Sequence, residues 1–425
     1  MTKATIGQRG VKMTITELTR TFARIGILSF GGPAAQIALM HRELVDERKW
    51  VTEQEFLSAL SFCMLLPGPE AMQLATWIGW RQHGTLGGLI AGLLFVLPGA
   101  CVVLALSMIY AAFGQVPLVA ALFAGVQAAV LAIVIEALLR VARRALKRRS
   151  HWVIATLAFA ALFAFAVPFP VVIIAAGLWG YVTTKATTAS PNASTPAANT
   201  LKTILIWAAI WLMPLAALGL FEGGLLFEIG LFFSKLAVVT FGGAYAVLAW
   251  MAQAVVEDKG WLTLTQMMDG LGLAETTPGP LILVTEFVAY IAAHKQGGVW
   301  MGIAAAIVTL WMTFAPCFLW IFTGAPYIAR LTQMPRLSGA LAAITAAVVG
   351  VIANLSLWFA LHVLFAVVVK IDAGPLHLSL PDPSTLRPFI AALALLAGYL
   401  LLRRHWPMPL VLALSAAVSA LGLTI

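Results

Sequence analysis

The chain has 425 residues, 61% hydrophobic and 10% charged, with a mean hydropathy of +0.96. A soluble protein of this length carries about a quarter charged residues, so composition excludes a soluble globule and predicts an integral membrane protein. The net charge of +9 does not indicate nucleic acid. The densest basic run, Arg140, Arg143, Arg144, Lys147, Arg148 and Arg149, directly follows an apolar span, where the positive-inside rule places Lys and Arg. Contact of that run with anionic membrane lipid would be incidental.

The first sixteen residues are polar and lack an apolar core, which predicts no cleaved signal peptide. Apolar stretches long enough to span a bilayer follow at 18–39, 56–82, 86–113, 117–140, 152–166 and 168–183. The last two form one run broken by Pro168 and Pro170, read as a short hairpin rather than one kinked span. A Thr/Ser/Ala/Pro/Asn segment at 184–202 reads as a flexible linker. Further spans are expected at 201–221, 225–251, 264–294, 298–323, 337–369, 387–402 and 406–425. The runs are too long and too rich in Ala and Leu for barrel strands, which alternate over about ten residues. The expected fold class is therefore an all-α polytopic membrane protein. Its expected parts are an N-terminal repeat (1–183), the linker (184–202), a connecting transmembrane helix (203–224) and a C-terminal repeat (225–425).

The evidence for repeats is a shift of 211 positions. It lays Pro67-Gly68-Pro69 on Pro278-Gly279-Pro280 and Phe30-Gly31-Gly32 on Phe241-Gly242-Gly243. It also matches Glu17 with Glu228, Arg24 with Lys235, Trp50 with Trp261 and Thr52 with Thr263. The span 201–221 has no counterpart ahead of the first copy. If that copy crosses the membrane an even number of times, one added crossing inverts the second copy. Lys3, Arg9, Lys12, Lys185 and Lys202 then mark the N-terminus and the linker as cytoplasmic.

The breaks are the candidate site. Pro69 cannot donate a backbone hydrogen bond, and Gly68 allows dihedrals that other residues avoid. The 56–82 stretch should split into two half-helices. Freed backbone groups survive in hydrocarbon where they line a protein cavity. The half-helix starting at Pro69 directs its N–H groups and positive dipole end there, which suits an anion. The same holds at 278–280, while Phe30-Gly31-Gly32-Pro33 and Phe241-Gly242-Gly243-Ala244 make a second pair of breaks. Gln36, Gln73, Thr240, Tyr245, Thr276 and Thr277 are nearby donors. Arg24 and Lys235 are candidates to pair with the anion, or with Glu17 and Glu228 on the same helical faces. Glu70 and Glu275 are candidate proton carriers, with Glu136 and Glu286 behind them. Each position also has a plainer reading: a structural kink, a glycine packing notch, a snorkelling cation or a capping carboxylate. The three cysteines, Cys63, Cys101 and Cys317, lie far apart and read as buried small hydrophobes.

Phe30-Gly31-Gly32-Pro33, Leu66-Pro67-Gly68-Pro69-Glu70-Ala71 and Ile78-Gly79-Trp80 resemble the chromate ion transporter family in its long two-domain form. In the second copy Phe241-Gly242-Gly243 and Ala274-Glu275-Thr276-Thr277-Pro278-Gly279-Pro280 carry the likeness. It covers nearly the whole chain and implies export of chromate across the bacterial inner membrane, giving chromate resistance, with sulfate as competitor. The second copy departs at Ala244, where the first has Pro33, which leaves the equality of the two Gly-Gly segments open. No Gly-x-x-x-x-Gly-Lys-Ser/Thr motif appears, so a proton gradient rather than ATP is the expected drive. No cofactor or metal is expected. The oligomeric state is open, a homodimer included. Another oxyanion, sulfate among them, is the alternative within transport. An intramembrane enzyme would need clustered Asp, His or Ser, whereas the seven histidines mostly sit at loop edges. A purely structural protein would not require paired breaks.

Overall fold

The computed structural model describes residues 13–185, 197–221, 223–241, 244–331, 334–374 and 376–422. Helix α1 (Ile15–Leu28) starts at Thr14 through a capping box with Glu17. It stops at Ser29, and Gly31 and Gly32 take φ of +87° and +77°, a region that side chains resist. The chain restarts as α2 (Gly32–His41). Helix α3 (Glu53–Cys63), capped in the same way by Thr52 and Glu55, runs to the 64–69 break. Helix α4 (Glu70–Phe113) leaves that break and turns sharply at His83 and Gly84. Gly79 and Gly87 approach across this turn so closely that a β-carbon on Gly79 would lie 2.2 Å from the Gly87 carbonyl oxygen.

Arg81 Nη2 lies 3.3 Å from Glu55 Oε1, and Gln82 Nε2 donates to the Trp50 carbonyl at 2.9 Å. The start of α3 and the end of the first α4 segment (70–83) are thus neighbours. The 56–82 stretch is a hairpin returning to the side it left, not a through-span as its apolar length implied. The 18–39 stretch is corrected in the same sense. Arg24 on α1 lies 3.6 Å from Glu43, which follows α2, because the reversal at Gly31 brings the two strands of the hairpin together.

The first copy continues through α5 (Pro117–Ala145), α6 (Arg149–Phe163) and α7 (Phe169–Thr183). The 152–183 run is therefore two helices joined by a turn, with Ala166 at φ +48°. Helix α8 (Ala197–Phe221) leads to the second copy. It begins inside the segment read as a linker, most of which lies outside the described residues. Helices α9 (Leu225–Val239), α10 (Ala244–Gln253), α11 (Leu264–Thr276) and α12 (Val284–Gly324) repeat the two-hairpin plan. Glu228 and Lys259 lie 3.6 Å apart, and Lys295 Nζ donates to the Trp261 carbonyl at 2.9 Å. Helix α12 turns at Gly297 and Gly298, as α4 does at His83 and Gly84. Hence 225–251 and 264–294 are also returning hairpins.

A single turn α13 (Ile328–Leu331) precedes α14 (Pro335–Leu364). Strands β1 (Val368–Ala373) and β2 (Leu376–Pro381) then form an antiparallel hairpin. It departs from the all-helical expectation because the β-branched run Val367-Val368-Val369 favours extended backbone, and Gly374 supplies a φ of +60° at the turn. Helices α15 (Pro388–Leu402) and α16 (Met408–Gly422) complete the chain. Among the described residues five helices are long and apolar enough to cross a membrane. They are Glu70–Phe113, Pro117–Ala145, Thr200–Phe221, Leu281–Tyr327 and Pro335–Leu364.

The copies interlock. Helices α6 and α7 of the first pack on α14 of the second, and α15 and α16 of the second pack on α5 of the first. Small residues permit this closeness: a β-carbon on Gly350 would lie 2.2 Å from the Ala155 carbonyl oxygen, and one on Gly125 2.1 Å from that of Ser415. Gly350→Leu is therefore expected to lower stability by about 1–3 kcal/mol, the usual range for overpacking. Thermal melting in detergent, followed by intrinsic fluorescence, checks this. The second segments of α4 and α12 cross with Phe322 over Gly88 and Phe318 over Gly92. The rising number on one helix meets the falling number on the other, so the segments run antiparallel.

Candidate functional site

The break tips bond in pairs across the two copies. Gly68 N–H donates to the Thr240 carbonyl at 2.8 Å, and Gly279 N–H donates to the Ser29 carbonyl at 2.8 Å. The two bonds are images of one another under the 211-residue shift. Each copy's Pro-Gly-Pro tip is thereby tied to the other copy's first tip. Gly68 and Gly279 hold φ of +118° and +89°, which only glycine adopts at low cost. Ser29, Gly68, Pro69, Thr240, Thr277, Pro278, Gly279 and Pro280 are all buried.

The polar side chains around the tips are engaged inside the protein. Gln36 Nε2 donates to the Gly279 carbonyl at 2.6 Å, and Gln73 Nε2 to the Pro67 carbonyl at 2.7 Å. Both amide oxygens are buried without a partner. The hydroxyls of Thr240, Thr276 and Thr277 donate to carbonyls of their own helices. Tyr245 donates to Glu275 at 2.7 Å. The donors expected to face an oxyanion are thus committed in this conformation, Gln36 to the opposite copy's tip and the others within their own copy. Phe30 is 46% exposed, and Phe241 and Pro33 are half-buried beside the tips. Gly242 and Gly243 lie outside the described residues.

The two glutamates differ. Glu70 opens α4 directly after Pro69 and is half-buried. Glu275 is 7% exposed, with Tyr245 as its donor and the Glu136–Arg140 ion pair within its electrostatic reach. Arg24 and Lys235 do not join the tips. Both are exposed on α1 and α9, six residues, or about 9 Å of helix, before the breaks. Arg24 pairs with Glu43 rather than Glu17, which is spent on its capping box. Glu228 pairs with Lys259 rather than Lys235.

Two buried acids fell outside the sequence expectations or at their margin. Asp269 on α11 is 2% exposed and accepts from Tyr110 at 2.7 Å and Gln127 at 2.8 Å. It joins the second copy's hairpin to α4 and α5 of the first. The sequence signal was present: an isolated carboxylate within the apolar run Met267-Met268-Asp269-Gly270-Leu271. Glu286 on α12 is 1% exposed and its Oε2 has no partner. Tyr110→Phe removes one of the two bonds to Asp269 and is expected to cost about 1–3 kcal/mol, read as a lower melting temperature that Gln127→Ala deepens.

At the edge of the molecule, His41 lies between Glu53 and Asp46. The hydrogen bond to Glu53 chiefly raises its pKa above 6.5. The stabilisation is therefore complete below that value and lost as pH rises through the raised one. His41→Gln is expected to lower the melting temperature in mildly acidic buffer and to leave it unchanged in alkaline buffer.

The sequence profile of the chromate transporter family matches residues 16–181 and 227–421, both sets of tips included. The chain belongs to the chromate transporter family. It is 35% identical over 347 residues to the chromate transport protein of Pseudomonas aeruginosa, covering 80% of each chain. It is 30% identical over 412 residues to the probable chromate transport protein of Synechococcus elongatus, covering 91% of this chain and 95% of that one. A chromate transport protein of Cupriavidus metallidurans is 30% identical over 348 residues, covering 80% of this chain and 81% of its own. No solved structure matches at a significant level. Helix α8 lies between the two matched regions.

Proposed function

We propose that the protein is a secondary active transporter that exports chromate, a tetrahedral dianion, from the cytoplasm across the bacterial inner membrane and so confers chromate resistance. The observation that carries this reading is the symmetric pair of tip bonds, Gly68 to Thr240 and Gly279 to Ser29. A broken helix near the bilayer centre at a repeat interface is the usual place of a transported solute. The relatives named for chromate transport supply the substrate.

The repeats are inverted in this reading, which the antiparallel second segments of α4 and α12 support. The face bearing Arg140, Arg143, Arg144, Arg403 and Arg404 is cytoplasmic by the positive-inside rule, and the N-terminus lies on the same side. The conformation described is occluded, with the tip donors satisfied by each other. Opening one copy against the other exchanges the Gly68–Thr240 and Gly279–Ser29 bonds for bonds to the dianion, so the two N–H groups trade one acceptor for another while the freed Thr240 and Ser29 carbonyls turn to water. Phe30, Gly31, Gly32, Pro33, Gln36, Gln73, Phe241, Thr276 and Thr277 surround the substrate. Arg24 and Lys235, on the exposed faces, draw it in.

A proton moving inward drives export by antiport, with Glu275 as carrier. Glu275 is buried and has one neutral donor in Tyr245, so an added proton removes a charge from a low-dielectric site. Glu70 is the second candidate. Sulfate or another oxyanion is the alternative substrate. Chromate uptake into everted vesicles, with and without an uncoupler, tests the reading. Uncoupler-sensitive chromate accumulation is expected, and sulfate flux without chromate flux would reject chromate as the substrate.

A further inference from the structure

The C-terminal end of α5 and the turn after α15 line an open hollow of about 440 Å3 at the basic face. Its polar lining is Glu136, Arg140, Arg143, Arg144, Arg403 and His405. Glu136 is spent on Arg140 as an i, i+4 ion pair. Among the described residues Arg143, Arg144 and Arg403 have no carboxylate partner, so three cations converge on one hollow with their repulsion uncompensated. The positive-inside rule accounts for cations at this face but not for their convergence. Lys147, Arg148, Arg149 and Arg404 satisfy that rule equally well and do not line the cavity.

One further observation bears on what the hollow holds. The lining comes from both copies, α5 from the first and residues 401–405 from the second. The hollow therefore exists only where the copies are docked. A water occupies about 30 Å3, so the space admits a small oxyanion with part of its hydration shell. Guanidinium groups match oxyanions through paired N–H donors.

We propose that this cavity is a binding site for a tetrahedral oxyanion, held by Arg143, Arg144 and Arg403 at the basic face. The oxyanion is either the free transported dianion or the phosphate of a lipid headgroup, which share charge and shape. The proposal rests on the transport reading above for the direction of entry.

The test uses the full-length protein in proteoliposomes, assayed for chromate flux from the basic face, in vesicles of phosphatidylcholine alone and with added phosphatidylglycerol. The variant is Arg143→Gln/Arg144→Gln/Arg403→Gln, with the triple Lys variant as a charge-retaining control. The Gln variant is expected to raise KM about tenfold with kcat within about twofold, and the Lys variant to recover most of the loss. A difference already present in phosphatidylcholine alone supports the site with free oxyanion as occupant. A difference confined to vesicles with phosphatidylglycerol supports it with lipid phosphate as occupant. An unchanged KM in both vesicle types, with both variants folded by thermal melting, overturns the site. Absence of chromate flux in the wild type would instead reject the transport reading, so the two failures are distinguishable.

Discussion

Gly68→Leu and Gly279→Leu are each expected to abolish chromate flux while the protein still inserts and melts cooperatively. A β-carbon at Gly68 would stand 2.8 Å from Gln73 Nε2 and 2.9 Å from Cys317 Sγ, at a φ of +118°. One at Gly279 would stand 3.0 Å from Leu283 Cδ1, at +89°. Backbone strain of this kind costs about 1–3 kcal/mol. The greater effect is on register, because each glycine's N–H is the donor tying its tip to the opposite copy. Gly298→Ala is the control. It carries a similar φ of +71°, with nothing within 4 Å of the added carbon, so it costs strain without disturbing a tip. Wild-type flux in Gly298→Ala together with lost flux in the tip variants assigns the loss to the tips. Full flux in Gly68→Leu and Gly279→Leu would reduce the breaks to structural kinks.

Glu275→Gln is expected to uncouple transport from the proton gradient. The amide keeps the size of the carboxyl and can still accept from Tyr245, but it cannot take up a proton. Flux driven by an imposed pH gradient should fall at least about tenfold, equivalent to roughly 1.4 kcal/mol, while counterflow exchange of chromate persists. Tyr245→Phe should give a smaller loss of gradient-driven flux, since it removes only the donor that positions the carboxylate. A retained pH-gradient response in Glu275→Gln, with its loss in Glu70→Gln, would move the carrier role to Glu70. The environments separate the two: Glu275 is buried with a named donor, whereas Glu70 sits half-buried at a helix start.

The duplication was legible as a repeated pattern, and the breaks at Gly31, Gly68 and Gly279 were legible because each is a local chemical event. Pro69 and Pro280 lack an N–H, Gly68 and Gly279 accept positive φ, and the shift of 211 positions preserves both. The capping boxes at Thr14, Thr52 and Thr263 likewise follow from residues three apart. The direction of the chain after each break was not legible. Apolar length marks depth in a bilayer but carries no sign, so 18–39 and 56–82 read as crossings until the Arg24–Glu43 and Arg81–Glu55 contacts placed the two arms of each side by side. For the same reason Glu17 passed as the partner of Arg24, when the reversal at Gly31 delivers Glu43 instead.

The length, the repeats, the helix breaks and the basic run at Arg140–Arg149 were determined by the sequence alone, since each is read from residue identity and spacing. Only the tertiary structure decided that the tips bond across the copies, that α6 and α7 lie on α14 while α15 and α16 lie on α5, and that Arg403 faces Arg143 and Arg144. Those contacts join residues one to three hundred positions apart. Their geometry is set by how glycine-lined helices fit against each other, and composition and periodicity do not encode that fit.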